Sequence, residues 1–341
     1  MVENTSNCSL PYEKDKIPLM TVYTIAIIIG VPANLITIVL TFQQVQRKNV
    51  LGIYLLSLSL CDMMYLCTLP LWLVYVYYEH FWIWSDMACK ITGYVFFNNM
   101  YISIFLLCCI SADRYWAVAY SLESRGIRQQ KLAGLITCFI CIAVAIIHSP
   151  VFIMDEGKTN ENHHKCFEPR NSTAKVAGFN YARVCVGFLI PLGILIYTNR
   201  GILANIQASS GLQKHQKLKI KYLARAVIIL FLVCFAPYHI ILLLRAVMFH
   251  VLGNGNDSCN FERTIYLPYT CFLGLSTINS ALNPILYVLA SDNIRKELRR
   301  GLSSIRSRTS SQHRVTDSSL PKQHCSKNSL DTTPSRENNS S

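Results

Sequence analysis

CCISADRYWAV, residues 108–118, closes an apolar stretch with a carboxylate, Asp113, beside a guanidinium, Arg114. Two full charges at the end of such a run are reasonable where the run meets water. Upstream the apolar block extends to residue 89, and the chain repeats the pattern. Blocks at 19–42, 51–78, 89–112, 132–154, 184–206, 223–249 and 265–290 are each dominated by apolar residues. A hydrocarbon core of ~30 Å takes about 20 helical residues to cross, so each block can span a membrane. Composition agrees: of 341 residues, 52% are hydrophobic and 15% charged, where soluble domains carry about 25% charged residues. The sequence predicts an all-α membrane protein, a seven-transmembrane helix bundle over residues 19–290.

The basic residues orient the bundle. Arg47 and Lys48 follow the first span, and Arg125, Arg128 and Lys131 follow the third. Lys214, Lys217, Lys219, Lys221 and Arg225 lie between the fifth and sixth, and Arg295, Lys296, Arg299 and Arg300 follow the seventh. These segments share one side, which the positive-inside bias makes cytoplasmic. Much of the +13 net charge therefore reflects topology, and no nucleic-acid partner is expected. The amino tail, 1–18, has no cleavable signal pattern and should lie outside, at the plasma membrane. Asn-x-Ser/Thr glycosylation acceptors at Asn4, Asn7, Asn171 and Asn256 fall on that same outer side. So do Cys8, Cys89, Cys166 and Cys259, four cysteines in an oxidising compartment, where disulfides are expected. Three pairings are open to them. Beyond the bundle, residues 291–302 place Ile294, Leu298 and Leu302 four apart against a basic face, which predicts a short amphipathic helix on the membrane surface. Residues 303–341, rich in Ser and Thr, read as a disordered cytoplasmic tail open to phosphorylation.

Polar groups inside the spans carry the functional signal, because ionisable side chains are costly in hydrocarbon. Asp62 is the deepest, in LSLSLCDMMYL, residues 56–66. Asn99, Ser103, Asn279 and Asn283 lie at depths where other spans could bring them to it, and such a set of oxygens suits Na⁺ as a structural ion. No other cofactor is implied. Pro32, Pro70, Pro150, Pro191, Pro237 and Pro284 weaken six of the spans, as befits a bundle with two packings close in energy. The chain shows no internal repeat of the kind many transporters carry and no nucleophile–base pair of an enzyme.

These residues together resemble the rhodopsin-like (class A) family of G-protein-coupled receptors over roughly residues 19–302. The carriers are Asn34, Leu58 and Asp62, then Asp113-Arg114-Tyr115, Cys234-Phe235-Ala236-Pro237 and Asn283-Pro284-Ile285-Leu286-Tyr287. The resemblance implies that Asp113 holds Arg114 in the resting state, and that on activation Arg114 turns toward the G protein and Tyr287. It implies a Cys89–Cys166 disulfide, and a packing switch of Pro191, Ile104 and Phe231 that links the ligand pocket to the G-protein face. It also implies arrestin and receptor kinases as partners of the tail. The chain departs from the family at several positions. Lys217, Lys219 and Lys221 stand where many relatives have an acidic residue, Phe235 replaces a tryptophan, Asn199 a tyrosine, and the tryptophan of span four is missing.

Amine receptors carry an aspartate in the outer half of span three, where this chain has Phe96, with Phe97 and Tyr101 nearby. Cations are available instead: Arg183, His239 and Arg245. Guanidinium pairs well with carboxylate or phosphate, so an acidic lipid, an oxidised free fatty acid or a lysophospholipid, is the expected ligand. LESRG at 122–126, HSPVF at 148–152, YARVCVGFLIPL at 181–192 and CFAPYH at 234–239 are similar to the proton-sensing and lysolipid subgroup. That likeness implies a second disulfide, Cys8–Cys259. Acid sensing is the competing expectation, with His80, His163, His164 and His250 on the outer side. Clear acid sensors of the subgroup, however, have aspartate at the Asn283 position and an acid in mid span four, where this chain reads CIAVAII, residues 141–147.

Overall fold

The computed structural model describes residues 10–120, 129–152, 165–167, 174–208, 213–252 and 256–290. The sequons at Asn4, Asn7 and Asn171, Cys8, His163, His164 and all of 291–341 lie outside them. Among the described residues seven helices are long and apolar enough to cross a membrane: Glu13–Gln46, Val50–Tyr77, Asp86–Ala119, Gln130–Phe152, Ala174–Ala208, Lys214–Leu252 and Asp257–Leu289. They are numbered here as the first to seventh spans. Most run past the apolar blocks, the sixth beginning nine residues before residue 223. Hydropathy marks only the part of a helix that faces hydrocarbon, whereas backbone hydrogen bonding continues into water.

Local chemistry sets where the helices start and break. Asn49 caps the second span by accepting from the Leu51 amide, and Ser85 caps the third by accepting from that of Ala88. Pro70 lies in the first turn of the outer half of span two, after a break at Cys67 and Thr68, where Thr68 Oγ1 donates to the Tyr65 carbonyl at 2.7 Å. In the fifth span the turn Cys185–Leu189 is a π-helix directly before Pro191. Proline has no amide hydrogen to give residue 187, and the widened turn absorbs that missing bond.

The third span is central: it packs on the second, fourth, fifth and sixth, and 72% of its apolar window is buried, against 17% for the fourth. The fourth span turns Leu135, Phe139, Ile142 and Ile146 outward, an apolar face suited to lipid. The first span packs between the second and seventh. Asn34 secures it there by donating to the Ser280 carbonyl at 2.7 Å, and Gly30 leaves room for Leu66, whose methyls lie 3.0–3.1 Å from where a Cβ would sit. A disulfide joins Cys89, at the outer end of span three, to Cys166. Cys259 is also disulfide-bonded; Cys8 lies outside the described residues.

Candidate functional site

An open cavity of about 390 Å³ occupies the outer end of the bundle, within the range of ligand pockets. Phe96 and Phe97 of span three, Arg183 of span five and Arg245 of span six line it, with Trp72 and Tyr75 opposite. Tyr101 and His239 do not line it. They are buried beneath, with the Tyr101 hydroxyl 3.3 Å from His239 Nε2. Because His239 Nδ1 donates to the Phe235 carbonyl at 2.8 Å, its Nε2 is the acceptor and Tyr101 the donor.

The two arginines differ. The Arg183 guanidinium lies over the rings of Phe97 and Phe179, 4.2 and 4.3 Å from their centroids, a cation–π arrangement. Its Nε is buried with no hydrogen-bond partner, and no described carboxylate pairs with it. Arg245, only 7% exposed, donates through Nε and Nη2 to Glu262 Oε1, both at 3.2 Å, and lies over Tyr269. Sequence reasoning missed Glu262, because nothing in one sequence shows that the outer ends of spans six and seven place these two side chains together. It also missed Phe179, and assigned no site role to His148, a lone histidine inside the apolar block 132–154 that opens the phrase HSPVF.

Stacked rings lead inward from the cavity floor. Phe188 lies nearly parallel to His239 at 4.9 Å and to Phe231 at 5.3 Å, and Phe231 meets Phe235 edge-on at 5.8 Å. Ile104, Phe231 and Pro191 are buried at this level. Pro237 is within the sixth helix and Pro284 within the seventh. Gly187, in the π turn, lets the Tyr101 ring approach to 2.3 Å from where a Cβ would be.

Below lies the polar cluster. Asp62 is fully buried and accepts from Asn283 Nδ2 at 2.8 Å. With its amide oxygen accepting from Ser280 Oγ at 2.9 Å, Asn99 donates to Asp62 Oδ1 and to the Cys61 carbonyl, both at 3.2 Å. Ser103 Oγ, Asn279 Oδ1 and Asn283 Oδ1 are buried without partners. Buried oxygens are normally hydrogen-bonded, so the Asp62 carboxylate beside Asn283, whose own Oδ1 is unsatisfied, fits a small monovalent cation.

At the inner end Arg114 donates to Asp113 Oδ2 through Nε at 3.1 Å and also through Nη2. Asp113 is 4% exposed, so the pair is formed at the bundle's edge. Tyr115 of the same motif packs on Tyr197, and Tyr287 is buried. Asn199 donates to the Leu195 carbonyl at 2.9 Å and reaches Ser111 Oγ at 3.5 Å, tying span five to span three.

A buried histidine–carboxylate pair sits at the outer rim. His80 Nε2 is 3.0 Å from Asp15 Oδ1, and both are buried. Tyr12 and Tyr75 pack on the His80 ring at 5.1 and 4.9 Å. Lys165 lies 3.4 Å from the Tyr12 ring centroid; burial lowers its amine from the usual lysine range, against the opposing pull of the Asp15 and Glu79 carboxylates.

The profile of the 7 transmembrane receptor (rhodopsin family) matches residues 33–287. The chain is 45% identical over 300 residues to "Probable G-protein coupled receptor 132" of Mus musculus, covering 88% of this chain and 77% of that protein. It is 34% identical over 301 residues to "G-protein coupled receptor 68" of Bos taurus, covering 87% and 81%. It is 28% identical over 283 residues to "Cysteinyl leukotriene receptor 1" of Homo sapiens, covering 82% and 83%.

Proposed function

The chain belongs to the rhodopsin family of seven-transmembrane, G-protein-coupled receptors, and on that premise we propose that its ligand is an acidic lipid, an oxidised free fatty acid or a lysophospholipid. It is a receptor and a multi-pass membrane protein, not an enzyme. The observation that carries the ligand reading is Arg183, a guanidinium on the cavity wall whose buried Nε has no partner. A carboxylate or phosphate would meet it with charge-assisted hydrogen bonds, while Phe96, Phe97, Trp72, Leu242 and Leu273 offer apolar surface to a chain. Arg245, held by Glu262, contributes positive potential in this reading more than a direct clamp. The relative named for a cysteinyl leukotriene, itself an acidic lipid, supports the same class.

In our reading the receptor sits in the plasma membrane with its amino terminus outside. The ligand bears on the floor formed by Tyr101 and His239, and the Phe188–Phe231–Phe235 stack passes its displacement to spans five and six. Their movement around Pro191 and Pro237 opens the inner face, where Arg114 leaves Asp113 and engages the G protein, with Tyr287 of the Asn283-Pro284-Tyr287 group as its new neighbour. Na⁺ held by Asp62, Asn99, Ser103, Asn279 and Asn283 would stabilise the resting packing. Receptor kinases and arrestin would act on residues 303–341, and Asn4, Asn7, Asn171 and Asn256 would carry glycans.

The experiment is G-protein activation in cells expressing the full chain, with a panel of oxidised fatty acids and lysolipids crossed with pH from roughly 6 to 8, the histidine range. Lipid-dependent activation at constant pH is the expected result. One observation favours a second reading, direct acid sensing: the buried His80–Asp15 pair at the outer rim. Activation by acid in lipid-free medium, abolished in His80→Phe, would establish that reading in place of the first.

A further inference from the structure

The carboxylate reading leaves several buried polar atoms of the cavity wall without a role, among them Trp72 Nε1, which can only donate, and a ring nitrogen of His148. His148, on the outer end of span four, lines the cavity. Its Nδ1 is 2.9 Å from the Val144 carbonyl oxygen. A carbonyl can only accept, so Nδ1 carries the hydrogen and Nε2 presents a lone pair. That Nε2 is buried and has no hydrogen-bond partner.

The ring cannot readily turn away to find one. It lies parallel to Phe97 at 6.1 Å and stacks on Tyr101 at 5.0 Å, while Phe179 closes on it edge-on at 6.2 Å. Phe97 and Phe179 are also the two rings under the Arg183 guanidinium, so His148 and Arg183 border the same patch of wall. Protonating Nε2 would place a second positive charge near that guanidinium, in a wall of low polarity where repulsion is strong. The neutral acceptor is therefore the favoured form. A ligand carboxylate drawn to Arg183 cannot satisfy it, since lone pair would face lone pair.

We propose that His148 is a specificity-determining residue of the cavity, whose Nε2 accepts a hydrogen bond from a hydroxyl or amide N–H that the ligand carries near its anionic head. This rests on the reading of an acidic lipid held by Arg183. Arg183 supplies the charge complement and His148 distinguishes among acids of equal charge and length. A site built to bond a donor rejects the analogue that lacks it, because its own buried group is then left unpaired.

The test uses the full receptor in cells with G-protein activation as readout. Its probes are octadecanoate, hydroxyoctadecanoates with the hydroxyl moved stepwise from the α carbon, and the methyl ether of each. Methylation keeps the oxygen, the charge and the chain but removes the donor. At the hydroxyl position that reaches His148, the alcohol should exceed its ether and the parent acid by about tenfold or more in potency. In His148→Phe, which keeps the stacked ring, that advantage should fall to within about twofold, and His148→Gln, which restores an acceptor, should recover part of it. An alcohol no better than its ether at any position in the unaltered receptor overturns the proposal without any variant having to fold. So does a preference that persists in His148→Phe. If no acid of the series activates the unaltered receptor, the fatty-acid form of the ligand reading fails and this proposal with it, an outcome separate from activation without discrimination.

Discussion

Arg183 and Arg245 face one cavity with the same charge, yet their neighbours assign them different tasks. Arg245 is buried against Glu262, and breaking such a pair from one side costs about 3–5 kcal/mol because the other charge is left in the wall. Arg245→Ala should therefore lower the thermal stability of the purified receptor markedly, as should Glu262→Ala. Joint replacement, Arg245→Met with Glu262→Leu, should return it to within about 1 kcal/mol of the parent, since apolar substitutes for a buried pair are often neutral. Simple addition of the two single losses would sink this assignment. Arg183 rests on aromatic faces and orphans no described carboxylate when removed, so Arg183→Ala should cost little stability. Both arginines were legible as cations of the outer spans. Their partners were not, because pairing across spans depends on helix rotation and depth, which a single sequence does not encode.

Among the elements, the spans were legible and their irregularities were not. Block length and the charges at Asp113 and Arg114 marked the third span, but only Pro191 hinted at the π turn of the fifth. That turn brings Gly187 under Tyr101, where an added methyl would lie 2.3 Å from the ring. Tyr101 is buried and bonded to His239, so Gly187→Ala should displace it at an overpacking cost of about 1–3 kcal/mol. The maximal G-protein response should drop while surface expression is retained; a full response in Gly187→Ala would mean that the Tyr101–His239 contact does not transmit activation. The Asp62 cluster links spans two, three and seven, and its residue types prompted the expectation of a cation site. Replacing potassium with sodium should weaken agonist binding by about fivefold or more, within the usual range of coupling energies, and Asp62→Asn should remove that dependence. Equal sodium sensitivity in Asp62→Asn would place the ion elsewhere.

For the whole molecule, composition and the distribution of Lys and Arg led to a seven-span membrane protein, because the bilayer imposes its thickness on the sequence directly. The ligand leaves no comparable mark. Four residues expected at the pocket, Phe96, Phe97, Arg183 and Arg245, do line the cavity, whereas Tyr101 and His239 form the layer beneath it, where they face the Phe188–Phe231 stack. The central third span carries Phe97 at the cavity, Asn99 at the polar cluster and Arg114 at the inner end, so one helix touches each stage of the proposed signal. The most direct test of the account is equilibrium binding of a radiolabelled acidic lipid that activates the receptor, measured on membranes bearing the unaltered chain, Arg183→Lys and Arg183→Ala. Loss of a charge-assisted contact worth about 1.5–3 kcal/mol should weaken binding to Arg183→Ala by roughly 10- to 150-fold, with Arg183→Lys in between. Undiminished affinity in Arg183→Ala would contradict the account.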